Sequence, residues 1–244
     1  MGGDFDRIGT AEAASTLAWW LEAGVDTAIA ETPRNWLKPK SEQPASATQV
    51  ISPAPAAAPA ADPTEDAPDT LDLFRDWLER APALPLSNAG AKRILPHGIE
   101  EAPVMLIAEM PSGDNAEGRP IAGDSWQLME RMLAAIGIDA DDAYSASLSC
   151  FHSPGPRMTG QELEQCAAIA RRHVVAAKPQ RILLLGDGPA LALLGKRLVQ
   201  ARGHVHKIEG VRAVATFHPR QLLNQPSHKA LAWKDLLLLM EEEV

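Results

Sequence analysis

The spacing of apolar residues along the chain changes several times, and each change marks an element. Between 8 and 37, Leu17, Trp20, Leu21 and Val25 recur near helical spacing, with Thr10 or Ser15 able to cap the start and Gly24 to end it. This predicts a short helical unit over 1–38. Residues 39–69 have no such period. Seven prolines stand there among alanines and acids, so the stretch lacks both backbone donors and apolar bulk and reads as a linker. A short amphipathic helix is expected at 70–80, where Leu71, Phe74, Trp77 and Leu78 share one side. From Pro103 the pattern becomes regular. Strands are expected at 104–108, 143–149, 181–185 and 211–217, and helices at 125–136, 161–177 (capped by Thr159), 189–198 and 228–240. Such alternation predicts an α/β domain over 70–244: three αβα layers, with a central, mostly parallel sheet covered on both faces. Its site should lie at the carboxyl ends of the strands.

Composition narrows the classes. The chain has 244 residues, 45% of them hydrophobic, enough for one medium domain with a full core. No run reaches the roughly 18 apolar residues of a membrane span. The polar, acidic N-terminus lacks the basic and apolar regions of a secretory signal, so a cytoplasmic location is expected. Cys150 and Cys166 are the only cysteines. Two are too few for a disulfide scaffold or for a cluster held by four thiolates, and both are expected to be reduced and buried or partly buried.

The net charge of −9 argues at first against nucleic acid, but it is unevenly distributed. Residues 1–83 carry 6 basic and 14 acidic side chains, and residues 84–244 carry 17 and 18. Within 190–230, Lys196, Arg197, Arg202, Lys207, Arg212, Arg220 and Lys229 face a single acid, Glu209. Such a run suits a phosphate backbone, or else forms an ordinary solvated surface.

Six short motifs then follow one another in order. Ala108-Glu109-Met110-Pro111 ends the first core strand, and Gly118-Arg119-Pro120-Ile121-Ala122-Gly123 comes soon after. Ser153-Pro154-Gly155-Pro156-Arg157, Leu185-Gly186 and Arg202-Gly203 follow, and then Thr216-Phe217-His218-Pro219-Arg220-Gln221-Leu222-Leu223. The closing helix carries Ala232-Trp233-Lys234-Asp235-Leu236. In this series residues 84–244 resemble uracil-DNA glycosylases of the bacterial iron–sulfur-type branch, which carry Gly-Glu-Ala-Pro-Gly, Gly-Arg-Pro-Phe-Val-Gly and Thr-Tyr-His-Pro-x-x-Leu-Leu at the corresponding places.

The resemblance implies that a nucleotide is flipped out of DNA and its glycosidic bond hydrolysed. His218 would then hydrogen-bond the departing base, and Glu109 would sit near the sugar and the attacking water. Met110, Pro111, Ile121 and Ser147 would surround the base. Gly186, Arg202 and Arg220 would contact DNA. Leu222 and Leu223 suit the wedge that fills the gap left by the flipped base, although one or both could instead begin a buried helix. DNA is the expected partner, a monomer close to the nucleoid the expected state, and a protein partner could meet the tryptophan-rich segment 8–37.

Departures from the family are as informative. Ile121 stands where the family stacks uracil on phenylalanine. Ser147 stands where an asparagine reads the base edge, and a hydroxyl cannot supply both a carbonyl and an amide. Residues 84–95 hold none of the family's first two cysteines, Phe151 occupies the third ligand position, and only Cys166 aligns. No cofactor or metal is therefore expected, and the iron–sulfur cluster should be absent, with apolar packing in its place. The sequence favours a cluster-free glycosylase acting on uracil or a related damaged base. The alternative is a catalytically degenerate DNA- or protein-binding relative that keeps the fold.

Overall fold

The computed structural model describes residues 15, 67–82, 84–87, 92–113, 117–153 and 158–241. Apart from residue 15, the helical unit expected over 1–38 lies outside these residues, as do 39–66 of the linker and Pro154–Arg157 of the third motif.

Five strands form one sheet in the order β2-β1-β3-β5-β4. They are β1 (Met105–Ala108), β2 (Tyr144–Ser147), β3 (Arg181–Leu185), β4 (Val205–Ile208) and β5 (Val211–Thr216). The first three and β5 run parallel, and β4 pairs antiparallel with β5 at one edge. Side chains alternate between two cores, as strand geometry requires. Met105, Ile107, Ile182, Leu184, Ala213 and Ala215 face one side, and Leu106, Ala108, Leu183, Leu185 and Val214 face the other. The first core is covered by helices α3 (Gly160–Ala177), α4 (Asp187–Leu194) and α5 (Leu198–Ala201), and the second by α2 (Gly123–Ala135) and α7 (Lys229–Met240). This is the expected three-layer α/β fold. Thr159 caps α3 by a reciprocal box with Glu162, as its spacing predicted.

Three local expectations need correction. The helix expected at 189–198 begins earlier, at Asp187, and stops at Leu194 because Gly195 takes a left-handed conformation (φ 65°). The edge strand β4 was not anticipated, because it is half exposed and its residues Val-His-Lys-Ile lack a continuous apolar run. The segment after His218, to which no element was assigned, is a short helix, α6 (Pro219–Asn224), with proline at its first position.

The helix expected at 70–80 forms as α1 (Leu71–Arg80) and buries Leu71, Phe74 and Leu78. It covers a third apolar cluster that includes Leu84, Cys150, Phe151, Ile169 and Ala176. Arg93 ties this region together. Its guanidinium donates to the carbonyls of Leu78 (2.6 Å), Glu79 and Ala81 (2.9 Å) at the C-terminus of α1 and lies over the Phe151 ring. These are carbonyls that the helix leaves unpaired. No helix among the described residues is long and apolar enough to cross a membrane.

Candidate active site

The chain passes from β1 outward to β2 and then back across to β3, so the order reverses between β1 and β3. Crevices form where strand order reverses, at the carboxyl ends. Here a pocket of about 330 Å³ opens at those ends, between Glu109 and Met110 after β1, Leu185 to Asp187 after β3, and His218 and Arg220 after β5. Helix α6 completes the wall with Gln221 and Asn224, followed by Gln225. Of the residues expected at the site, Glu109, Met110, Gly186, His218 and Arg220 share this pocket.

Local geometry fixes the two candidate reacting groups. His218 caps α6: its Nδ1 accepts the backbone N–H of Arg220 at 3.1 Å. That contact assigns the imidazole proton to Nε2, which makes the ring a donor. Burial, assisted by the Arg220 charge, holds its pKa down at about 4, so the ring is neutral at pH 7. Glu109 depends on a glycine that sequence reasoning missed. A Cβ at Gly188, in the first turn of α4, would lie 2.6 Å from the Glu109 Cγ and Cδ atoms. Only hydrogen at 188 leaves room for this carboxylate. Gly186 reaches φ +97°, a conformation that favours glycine, as the chain turns from β3 into α4. Asp187 anchors the same turn by accepting the Leu198 N–H at 2.8 Å.

Other expected residues lie elsewhere. Ile121 is fully buried in the second core and does not line the pocket. The Ser147 hydroxyl donates to the Ser149 carbonyl at 2.7 Å, so its one proton is already committed. Pro111 is buried, with its carbonyl 2.8 Å from His152 Nδ1. Leu222 is 1% exposed and packs in the first core from within α6, whereas Leu223 is 40% exposed.

Arg202 corrects a charge-based expectation. Its Nε and Nη2 each lie 2.8 Å from Asp235 Oδ2, and its guanidinium lies 4.2 Å from the Phe217 ring centre. It is an internal strut, because a partly buried cation must be paired. The basic run of 190–230 is also divided in space. Arg220 stands at the pocket, whereas Lys207 and Arg212 line a separate hollow with Arg181 at the amino ends of β3 and β5.

The expected wall of Ile121 and Ser147 is therefore replaced by the three carboxamides of Gln221, Asn224 and Gln225. Their only signal in the sequence was proximity to His218, together with a side chain that both donates and accepts.

The side chains do not fit a four-thiolate cluster. The chain has two cysteines, both buried. Burial pushes the Cys150 and Cys166 thiols up to about 11 and 12, so both are protonated rather than thiolate. Phe151 is packed in the apolar cluster under α1. Among the described residues no group of three or more His, Cys, Asp or Glu side chains is arranged to hold a metal ion.

Comparison with known proteins gives a concordant picture. The family described as the Uracil DNA glycosylase superfamily matches residues 95–237. A type-4 uracil-DNA glycosylase of Archaeoglobus fulgidus is 28% identical over 141 residues, covering 53% of this chain and 71% of the relative. A type-4 uracil-DNA glycosylase of Pyrobaculum aerophilum is 26% identical over 180 residues, covering 69% and 92%. A type-5 uracil-DNA glycosylase of the same organism is 28% identical over 148 residues, covering 52% and 65%.

Proposed function

The chain belongs to the uracil-DNA glycosylase superfamily, and from that premise we propose that its strand-end pocket receives a base flipped out of DNA and hydrolyses the N-glycosidic bond. The leaving group is uracil or a related damaged base. Water attacks the sugar carbon as the carbon–nitrogen bond breaks, and the bonding electrons leave with the base. Negative charge then gathers on a base carbonyl, and the sugar becomes cationic. The His218 Nε2–H stabilises the first charge and the Glu109 carboxylate the second, while Glu109 also takes the proton of the attacking water. The observation that carries this reading is the neutral His218 with its Nδ1 occupied, in one pocket with Glu109. A neutral donor is suited to a base that becomes anionic, because its Nε2–H is too weakly acidic to be given up and so remains a hydrogen-bond donor throughout.

The protein works without an iron–sulfur cluster: Arg93 and the apolar residues around Phe151 hold the region that the cluster would otherwise organise. It acts as a monomer on DNA in the cytoplasm, at the nucleoid, and any protein partner would be met by the tryptophan-rich sequence of 8–37.

One observation favours a second reading. Ile121 and Ser147 offer the base neither a stacking face nor a free amide, as in a binding relative that has lost catalysis. Oligonucleotides carrying uracil and a panel of other lesions, treated to cleave abasic sites, separate the two. A glycosylase gives cleavage that falls on the order of a hundredfold or more in His218→Ala and Glu109→Gln, with DNA affinity little changed. A binding relative gives none with any lesion.

A further inference from the structure

The pocket histidine is held through the two residues that precede it. Asp235, 1% exposed on α7, gathers its side-chain hydrogen bonds at one oxygen. Thr216 Oγ1 donates to its Oδ2 at 2.8 Å, Arg202 donates to the same oxygen from Nε at 2.8 Å, and the Arg202 Nη2 atom lies in ion-pair contact with it at 2.8 Å. Thr216 is the last residue of β5. The next residue, Phe217, is in contact with the Arg202 guanidinium at 4.2 Å and stacks on the His228 ring at 4.4 Å and 15°. His218 follows at once. Residues 216 and 217 are thus both fixed by groups that converge on one buried carboxylate.

Burying that carboxylate is costly. It drives the Asp235 pKa upward, while the bonds from Thr216 and Arg202, the Arg202 charge and the Gly203 backbone N–H pull the other way. Apolar side chains of similar volume would fill the space at less cost. What they would lack is direction, since an ion pair with two short side-chain hydrogen bonds on one oxygen has one geometry. We propose that Asp235 is a positioning residue for His218, acting at one remove by fixing Thr216 and Arg202, and through Arg202 the Phe217 ring. This rests on the reading of His218 as the donor of the pocket. A donor aimed at a developing charge has a tolerance of well under about 1 Å, beyond which rate is lost.

The test is made on the full chain without substrate, by following the His218 ring nitrogens in proton–nitrogen NMR as pH is lowered. The charged groups that line the same pocket, Glu109, Asp187 and Arg220, stay in place. In the wild type His218 remains neutral until about pH 4. In Asp235→Asn and Thr216→Val the ring gains freedom and solvent, so its proton affinity rises by roughly tenfold or more towards that of an ordinary histidine. Thr216→Ser, which keeps the hydroxyl, restores the wild-type titration. The direction is decisive for Asp235→Asn, because removing a negative charge without movement would lower the proton affinity of His218. Folded variants that titrate like the wild type, or an Asp235→Asn protein whose His218 binds protons more weakly, overturn the proposal. If Asp235→Asn fails to fold, Thr216→Val decides alone. On a uracil-containing oligonucleotide both variants lose kcat by on the order of tenfold to a hundredfold with KM nearly unchanged. A wild-type protein inactive on every base would refute the proposed function and leave the NMR result to judge the positioning role.

Discussion

Gly188→Ala separates the site from the fold. The added methyl carbon would stand 2.6 Å from the Glu109 Cγ and Cδ atoms and 2.8 Å from Oε2, where ordinary contact begins at 3.4 Å. The clash is with a side chain rather than backbone, so Glu109 gives way and its carboxyl group moves by about 0.8 Å or more. A displacement of about 1 Å in a reacting group costs on the order of a hundredfold in rate, equivalent to about 2.7 kcal/mol of barrier. Stability should move little or rise, because Gly188 lies in α4, where alanine is favoured over glycine by up to about 1 kcal/mol. The assay pairs single-turnover cleavage of a uracil-containing oligonucleotide with a thermal melt. The expected result is a rate lower by about two orders of magnitude at an unchanged or higher melting temperature. Near-wild-type rates would refute the claim that this carboxylate must occupy its observed place. A large fall in melting temperature would show that the backbone, not Glu109, absorbs the methyl.

Three further outcomes follow from burial and charge. Leu222→Ala should cost about 2–5 kcal/mol of stability, whereas Leu223→Ala should leave the melt unchanged and weaken DNA binding; equal effects on the melt would contradict their different exposures. Burial lowers the His173 pKa to about 3, so between about pH 6.5 and 3 the unfolded chain binds a proton that the fold excludes, and stability falls as pH falls. Across that window excluding the His173 proton costs the fold on the order of 5 kcal/mol, and in His173→Gln the acid side of the stability curve should flatten in denaturant titrations. Finally, Cys150 and Cys166 should resist a thiol reagent at pH 8 in the native protein and react only after unfolding, because burial keeps both protonated; fast native labelling of either would contradict this.

The four parallel strands, the helices on both faces and the cap at Thr159 are legible in the sequence alone, because buried strands and amphipathic helices impose periods on their residues. So is the order of the motifs, which assigns Glu109, Gly186 and His218 to successive strand ends. Strand β4 leaves no such period, since it pairs on one side only and half of it meets water. Charge is legible only as a count. That Arg202 turns inward to Asp235, 33 residues away, while Arg220 faces the pocket, depends on a pairing that no local pattern encodes. Leu222 and Leu223 are chemically alike and adjacent, and only the docking of α6 on the first core decides which is buried. The same holds at Gly188: the sequence supplies a residue without a side chain, but the need for one appears only where β1 and α4 meet and Glu109 fills the space. Periodicity reports what a residue does within its own element. Which groups converge on a site is set by contacts between elements, and those exist only once the sheet and helices have packed.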